Sequence, residues 1–325
     1  MQYARFGLTE LTVCRVGVGC AAMGGYDYGR VDDRESKNAI RRALDLGINF
    51  FDTADVYGLG HSEIVLSEAL GARRHDAVIA TKFGLRWDEQ GRTSRDCGPG
   101  RVAEALENSL RRLRVDRIPV YQIHWPDPAT PMAETLGVLR KCQESGKIGF
   151  IGCCNFSPDL VQEAMALCRI ESIQLPYSLA EQGAAAALRL LRERYRLAVL
   201  SYSPLAQGLF SGKYGRNAKF EGTDLRRRSP LFQGDNLERN LALLERIRVV
   251  AGRHDCTPAQ VAIRWLLENE HVTCVLTGVK TLQQVEENYG ALGLRLSSED
   301  LDYLNNRRAQ AEALGQASRE RSRNL

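Results

Sequence analysis

Val16-Gly17-Val18-Gly19-Cys20-Ala21-Ala22-Met23-Gly24-Gly25-Tyr26-Asp27-Tyr28-Gly29 is the stretch on which the fold turns. After a short apolar run, Gly17, Gly19 and Ala22 spell G-x-G-x-x-A, the looser form of the fingerprint with which an open, doubly wound sheet holds a dinucleotide. That fingerprint has to open a helix, because the pyrophosphate sits on the helix N-terminus. Here it runs into the glycine-rich loop Met23 to Gly29, and helical periodicity begins only near Asp33. The context argues against the open sheet. Gly208 and Gly212-Lys213 fail as a phosphate loop for a simpler reason: the spacing is too short, and Tyr214 stands where Ser or Thr is required.

Outward from that stretch, eight short apolar segments alternate with longer helix-patterned ones. The predicted strands are 13–18, 48–52, 77–81, 119–124, 150–154, 172–175, 198–202 and 273–277. Helical patterns fall at 33–46, 63–70, 99–113, 132–145, 158–167, 184–195 and 237–253, with Ser157 placed as a cap before an N1 proline, Pro158. Eight βα units without a break in composition predict one closed parallel barrel, a (β/α)8 TIM barrel of the α/β class, as a single domain over 1–325. The 203–235 segment is too long for a usual βα connection and reads as a lid or mobile loop. The polar 309–325 tail reads as frayed.

Composition narrows the function. In 325 residues, 44 Lys+Arg stand against 40 Asp+Glu, a formal net charge of +4 with the signs interspersed. No field of the kind that draws nucleic acid or an anionic membrane follows from that. Nine cysteines, an odd number with no C-x-x-C pair, argue against a disulfide framework or a metal site and point to a reducing, cytoplasmic setting. No apolar run approaches the roughly 20 residues that span a bilayer, and the first ten residues lack a signal-peptide core.

In a parallel barrel the reactive face is the C-terminal end of the strands. The second predicted strand ends in Asp52-Thr53-Ala54-Asp55-Val56-Tyr57, the third in Thr81-Lys82-Phe83-Gly84, and the fourth in Gln122-Ile123-His124-Trp125-Pro126. Singly, such an Asp is a cap, such a Lys is solvated, and such a Tyr or His is packing. Together, an acid, a phenol, an amine and an imidazole on consecutive strand ends can converge on one cavity, which is how general acid–base sites are assembled.

The segment Asn49 to Gly58, with Lys82 and His124 downstream, resembles the aldo-keto reductase superfamily, NAD(P)H-dependent carbonyl reductases on a (β/α)8 barrel. Gly152-Cys153-Cys154-Asn155-Phe156-Ser157, Tyr202-Ser203-Pro204-Leu205-Ala206-Gln207-Gly208, and Gly278-Val279-Lys280 with Gln284, Glu287 and Asn288 carry the same resemblance, which runs from about Tyr3 to Leu292. It implies that Asp52, Tyr57, Lys82 and His124 are the catalytic tetrad, with Tyr57 as general acid. Lys82 would lower the phenol's pKa, Asp52 would hold Lys82, and His124 would orient the substrate carbonyl.

By the same resemblance the cofactor is NADPH. Asn155 and Gln174 would bond its carboxamide, and Tyr202 would stack on the nicotinamide. Ser203, Leu205 and Gln207 would follow the pyrophosphate through backbone N–H groups. Lys280 would meet the 2′-phosphate, with Gln284, Glu287 and Asn288 around the adenosine and Gly278 a further cofactor-binding residue. Cys154 departs from the family's usual Ser and weakens one carboxamide contact, since a thiol is a poorer hydrogen-bonding group.

Arg226 to Arg228 read as a solvated charge run in preference to a phosphate contact. Tyr26, Trp87 and Trp125, on loops beyond strands, are candidates for a pocket that takes a small carbonyl or alcohol substrate. The competing function is a nicotinamide-binding regulatory or redox-sensing subunit with slow turnover, since some proteins resembling this family work as partners of other proteins; tandem Cys153-Cys154 is the cue for redox sensing, and burial of both is the plainer explanation.

Overall fold

The computed structural model describes residues 2–25, 28–220, 222 and 224–305, so Tyr26 and the 309–325 tail lie outside the described residues. The strands are β1 (Tyr3–Arg5), β2 (Thr12–Cys14), β3 (Val16–Gly19), β4 (Phe50–Asp52), β5 (Val78–Phe83), β6 (Leu85–Trp87), β7 (Thr93–Arg95), β8 (Ile118–Ile123), β9 (Ile148–Cys154), β10 (Ser172–Pro176), β11 (Ala198–Tyr202) and β12 (Cys274–Gly278). Eight of them, β3, β4, β5, β8, β9, β10, β11 and β12, close into a barrel in that order, every neighbouring pair parallel.

Around the barrel lie α1 (Asp33–Asp45), α2 (His61–Leu70), α3 (Pro99–Leu113), α4 (Met132–Glu144), α5 (Pro158–Leu167), α6 (Ala185–Tyr195), α7 (Gly234–Arg253), α8 (Pro258–Leu267), α9 (Leu282–Gly290) and α10 (Ser298–Leu304). Among the described residues no helix is long and apolar enough to cross a membrane.

One expected strand divides. Residues 13–18 were read as a single segment, yet Thr12–Cys14 pairs antiparallel with Tyr3–Arg5, while the chain from Val16 onward enters the barrel beside β12. The hairpin seats Phe6 against Phe50, ring centroids 5.7 Å apart, and closes the N-terminal mouth of the barrel.

Alternation along the strands sorts the side chains. Phe51, Ile79, Tyr121, Cys153, Ile173, Val199 and Val275 face outward and join the core beneath the helices. Phe50, Ala80, Val120, Ala198, Leu200, Cys274 and Leu276 fill the interior with Phe6 and Val13. Two residues further along, the same interior rows present Asp52, Lys82, Gln122, Cys154 and Gln174, so the barrel is apolar toward one end and polar toward the other. Cys153 and Cys154, adjacent on β9, therefore project to opposite faces.

Gly17 belongs to this packing and to no phosphate. A Cβ there would lie 2.9 Å from Cys274 Sγ and 3.1 Å from the Phe50 ring, so the glycine makes room for the interior phenylalanine.

Candidate active site

Asp52 ends β4, Lys82 lies near the end of β5, and His124 directly follows β8. Tyr57 sits on the loop between β4 and α2. Lys82 Nζ, fully buried, donates to Asp52 Oδ2 at 2.7 Å, to the Thr53 carbonyl at 2.7 Å and to Tyr57 Oη at 3.3 Å. The other carboxylate oxygen of Asp52 accepts from Gln174 Nε2 at 2.9 Å and from Gln122 Nε2 at 3.3 Å. The Tyr57 and His124 rings meet edge to face, centroids 5.6 Å apart. The four side chains expected from the sequence thus form one contact group at the polar end of the barrel.

Electrostatics sharpen their chemistry. Burial alone would lower the Lys82 ammonium, but the facing Asp52 carboxylate, with Tyr57 and Cys154, raises it above the ordinary lysine value. Burial raises the Tyr57 phenol, with Lys82 pulling the other way. Lys82 thus lowers the phenol as expected, but desolvation outweighs it, and the hydroxyl keeps its proton at neutral pH. Burial and Lys82 both push His124 well below its ordinary value, so its imidazole is neutral. Its Nδ1 is buried without a partner.

Backbone contact holds the tyrosine loop in place. Gly58 has φ +59°, and a Cβ on it would lie 2.2 Å from the Gly24 carbonyl oxygen and 2.7 Å from Gly24 Cα. No flexible side chain is available to yield there. Gly58→Ala is expected to destabilise the fold by roughly 1–3 kcal/mol and to lower kcat through displacement of Tyr57; an unchanged thermal melt would show that the two loops separate freely.

Tyr57, His124 and Asp52 open on a cavity of about 450 Å³ that continues along the ends of β9 to β12 and α9. Asn155, Gln174, Tyr202, Ser203, Leu205, Gln207, Gly278, Lys280, Gln284, Glu287, Asn288 and Trp125 all line it. Several are already engaged. Asn155, at φ +61°, donates from Nδ2 to the His124 carbonyl at 3.0 Å and accepts from Tyr202 Oη at 2.9 Å. Gln174 gives one amide N–H to Asp52, which leaves its oxygen and its second N–H for a ligand. Gln284 accepts from the Lys280 backbone N–H at 2.7 Å. On α9, Gln284, Glu287 and Asn288 share one face, against the alternative of a solvated helix surface.

Two placements differ from expectation. Trp87 does not line the cavity; it lies on the β6–β7 hairpin, with the Arg101 guanidinium 5.3 Å from its ring centroid. Arg226 is not part of a solvated run. Its guanidinium is clasped by Asp224 at 2.9 and 2.5 Å, donates to Tyr214 Oη at 2.6 Å and lines the cavity, whereas Arg227 and Arg228 are exposed.

The long loop carrying Arg226 contains three short 3-10 turns, 209–211, 225–227 and 230–232, and packs along the cavity. Gln122 is the functional-site neighbour not picked out from sequence, although two residues before His124 on a strand is the same interior row. Arg226 carries the phosphate-contact alternative of the Arg226 to Arg228 run, and the partners that turn it toward the cavity come from the fold. Cys154 is buried, its thiol pKa pushed up by that burial, and its Sγ lies 3.8 Å from Gln122 Oε1.

The profile of the Aldo/keto reductase family matches residues 15–308, and the chain belongs to that family. It is thus an oxidoreductase that uses NADP(H), from a family that acts on small carbonyl compounds. Among its relatives, aldo-keto reductase yakc of Schizosaccharomyces pombe, named for NADP(+), is 32% identical over 94% of this chain and 91% of its own length. The NADH-specific methylglyoxal reductase of Escherichia coli is likewise 32% identical, over 97% of this chain and 99% of its own. A solved glycerol dehydrogenase from Gluconobacter oxydans superposes with a TM-score of 0.86 at 35% identity, 94% of each chain being covered.

The cavity fits a nicotinamide dinucleotide on its own chemistry. Gln207 Oε1 and Asn288 Nδ2 are buried cavity-lining atoms without partners, which leaves an acceptor and a donor for a polar ligand. Beside Gln207 in the chain the backbone is strained: Ser203, Ala206 and Gln207 itself adopt φ of +57°, +47° and +56°. The N–H groups of Ser203, Leu205 and Gln207 bond nothing among the described residues. Such strained backbone with free amides is an anion-binding arrangement.

Proposed function

We propose that the chain reduces an aldehyde or ketone to the alcohol with NADPH, Tyr57 acting as general acid. The observation that carries this reading is Lys82 Nζ held between Asp52 Oδ2 and Tyr57 Oη, with His124 at the same end of the cavity. When bound, the reduced nicotinamide supplies the hydride to the carbonyl carbon. Negative charge then grows on the carbonyl oxygen, and Tyr57 gives that oxygen its phenolic proton. Lys82 stabilises the phenolate left behind, and Asp52 with its two glutamine donors keeps Lys82 charged and aimed. Neutral His124 can only orient the carbonyl by donating a hydrogen bond; it carries no spare proton at neutral pH.

Loss of NADPH absorbance across a panel of aldehydes and ketones tests the reading. A folded chain that binds NADPH and turns over none of them would leave the regulatory function instead.

Preference for NADPH over NADH is assigned to Lys280. Its Nζ donates to the carbonyls of Tyr28 at 2.6 Å and Arg30 at 3.3 Å. Burial and nearby Arg226 lower its pKa, with Asp224 opposing. Two cations facing one carboxylate leave positive charge for a phosphate. Lys280→Ala is expected to weaken NADPH by roughly 1.5–3 kcal/mol, the range for hydrogen bonds to charged groups, and NADH far less. Added salt should erode the difference. Equal losses for both cofactors in a fluorescence titration would place the phosphate elsewhere.

A further inference from the structure

A second charged cluster lies against the Tyr57 loop, and none of its members lines the cavity. Asp55, fully buried, is three residues past Asp52 and two before Tyr57. Its Oδ2 accepts from Arg101 Nη2 at 2.7 Å, and the same nitrogen donates to the Leu85 carbonyl at 2.9 Å, three residues past Lys82. The Asp55 N–H donates to the Lys82 carbonyl at 3.3 Å. Arg101 stands in the first turn of α3, buried, with its guanidinium 5.3 Å from the Trp87 ring centroid. Nearby, Glu63 of α2 accepts from Thr81 Oγ1 at 2.6 Å and from Arg112 Nε at 2.6 Å.

We propose that Arg101 and Asp55 are positioning residues: one guanidinium nitrogen ties the loop carrying Tyr57 to the chain just past Lys82, and so sets the tyrosine hydroxyl against the ammonium. This rests on the carbonyl-reductase reading above. A buried ion pair is weak evidence of stability, because a well-packed apolar pair of similar volume is often as stable. Geometry is the better reason for this one. Asp55 Oδ1 and Arg101 Nε are both without partners, so the side-chain link that Arg101 makes between the two catalytic segments runs through a single nitrogen, beside the backbone bond from the Asp55 N–H to the Lys82 carbonyl. The 3.3 Å Tyr57–Lys82 contact it supports is long and has little to spare.

The pair also links activity to pH. Burial pushes the Asp55 carboxyl up to about 7; Arg101 and Arg112 of α3 lower it, and Glu63 of α2 raises it. The Tyr121 phenol of β8, itself raised by burial, is the remaining titratable neighbour. Protonation weakens the bond to Arg101, so kcat should fall as pH drops through about 7. Stability should move the other way. The folded-state value lies above the unfolded 3.8, so Asp55 favours the fold at low pH, and that contribution is lost as pH rises through about 7. A purely structural pair would move activity and stability together.

Asp55→Asn and Arg101→Lys test the proposal, the lysine keeping the charge but ending one bond short of the nitrogen that holds both acceptors. At pH 8, kcat is expected to fall about ten- to a hundred-fold in each, the scale of a misplacement near 1 Å, with NADPH affinity unchanged. Asp55→Asn should also lose the inflection near pH 7. Placed in a Tyr57→Phe background, neither substitution should lower the residual rate further, since the group being positioned is gone. Wild-type kcat in both variants, a persisting inflection in Asp55→Asn, or an equal loss in the Tyr57→Phe background would overturn the proposal.

A readout independent of turnover is the ring-carbon NMR resonance of Tyr57 in the cofactor-free chain, assigned by its absence in Tyr57→Phe. It should shift in both variants, and an unmoved resonance counts against the brace. If the wild-type chain reduces no carbonyl, the functional reading fails while this resonance still decides the positioning.

Discussion

Tyr57→Phe is expected to lower kcat by about 100-fold or more, the scale of general acid catalysis, with NADPH binding nearly unchanged. The phenyl ring keeps the edge-on contact with His124 and the place 4.8 Å from Lys82 Nζ, so packing is preserved and only the proton donor is lost. Because burial holds the phenol protonated, the wild-type donor is present in full at neutral pH. The whole effect should therefore appear in kcat and not as a shifted pH optimum. Single-turnover measurements with bound NADPH would separate the chemical step from product release. Full activity in Tyr57→Phe would remove Tyr57 from the mechanism.

Lys82→Met is expected to remove a comparable share of activity by a different route and to destabilise the fold as well. Without the ammonium, the phenolate formed on proton transfer has no counter-charge. Asp52, 3% exposed, would keep only the two glutamine donors. Removing one partner of a buried pair typically costs about 3–5 kcal/mol, because the remaining charge is left uncompensated. Urea unfolding should show that loss. Adding Asp52→Asn should restore much of the stability and none of the activity, since it removes the orphaned charge without supplying a cation. Recovery of both would mean that Lys82 serves packing alone.

Much of the barrel was legible because its signals are local. Each strand is a short apolar run, each helix carries its own period, and seven of the eight barrel strands lie within two residues of the positions read from the chain. Only the first is misdrawn, since nothing in residues 13–18 says that Thr12–Cys14 will find Tyr3–Arg5 while Val16 finds β12. Their positions at the C-terminal ends of consecutive strands likewise place Asp52, Lys82 and His124 at one end of the barrel.

Local sequence determined the elements, the rank of the strands around the barrel, and which residues sit at the strand ends. Tertiary structure alone decided what those residues touch. Asp52 and Gln174 are 122 residues apart, Asp55 and Arg101 46, and each pair meets only because barrel closure brings its strands or loops together. The protonation of Tyr57 was decided the same way, since depth of burial, which no local pattern states, outweighs the lysine beside it. Trp87 and Arg226 were misread for that reason: an aromatic or a cation on a loop has no local rule for its direction, and its environment comes from chain far away in sequence. Gly17 shows the limit most plainly, because the motif it completes is real in the sequence, yet its purpose is set by Phe50 and Cys274 across the barrel interior.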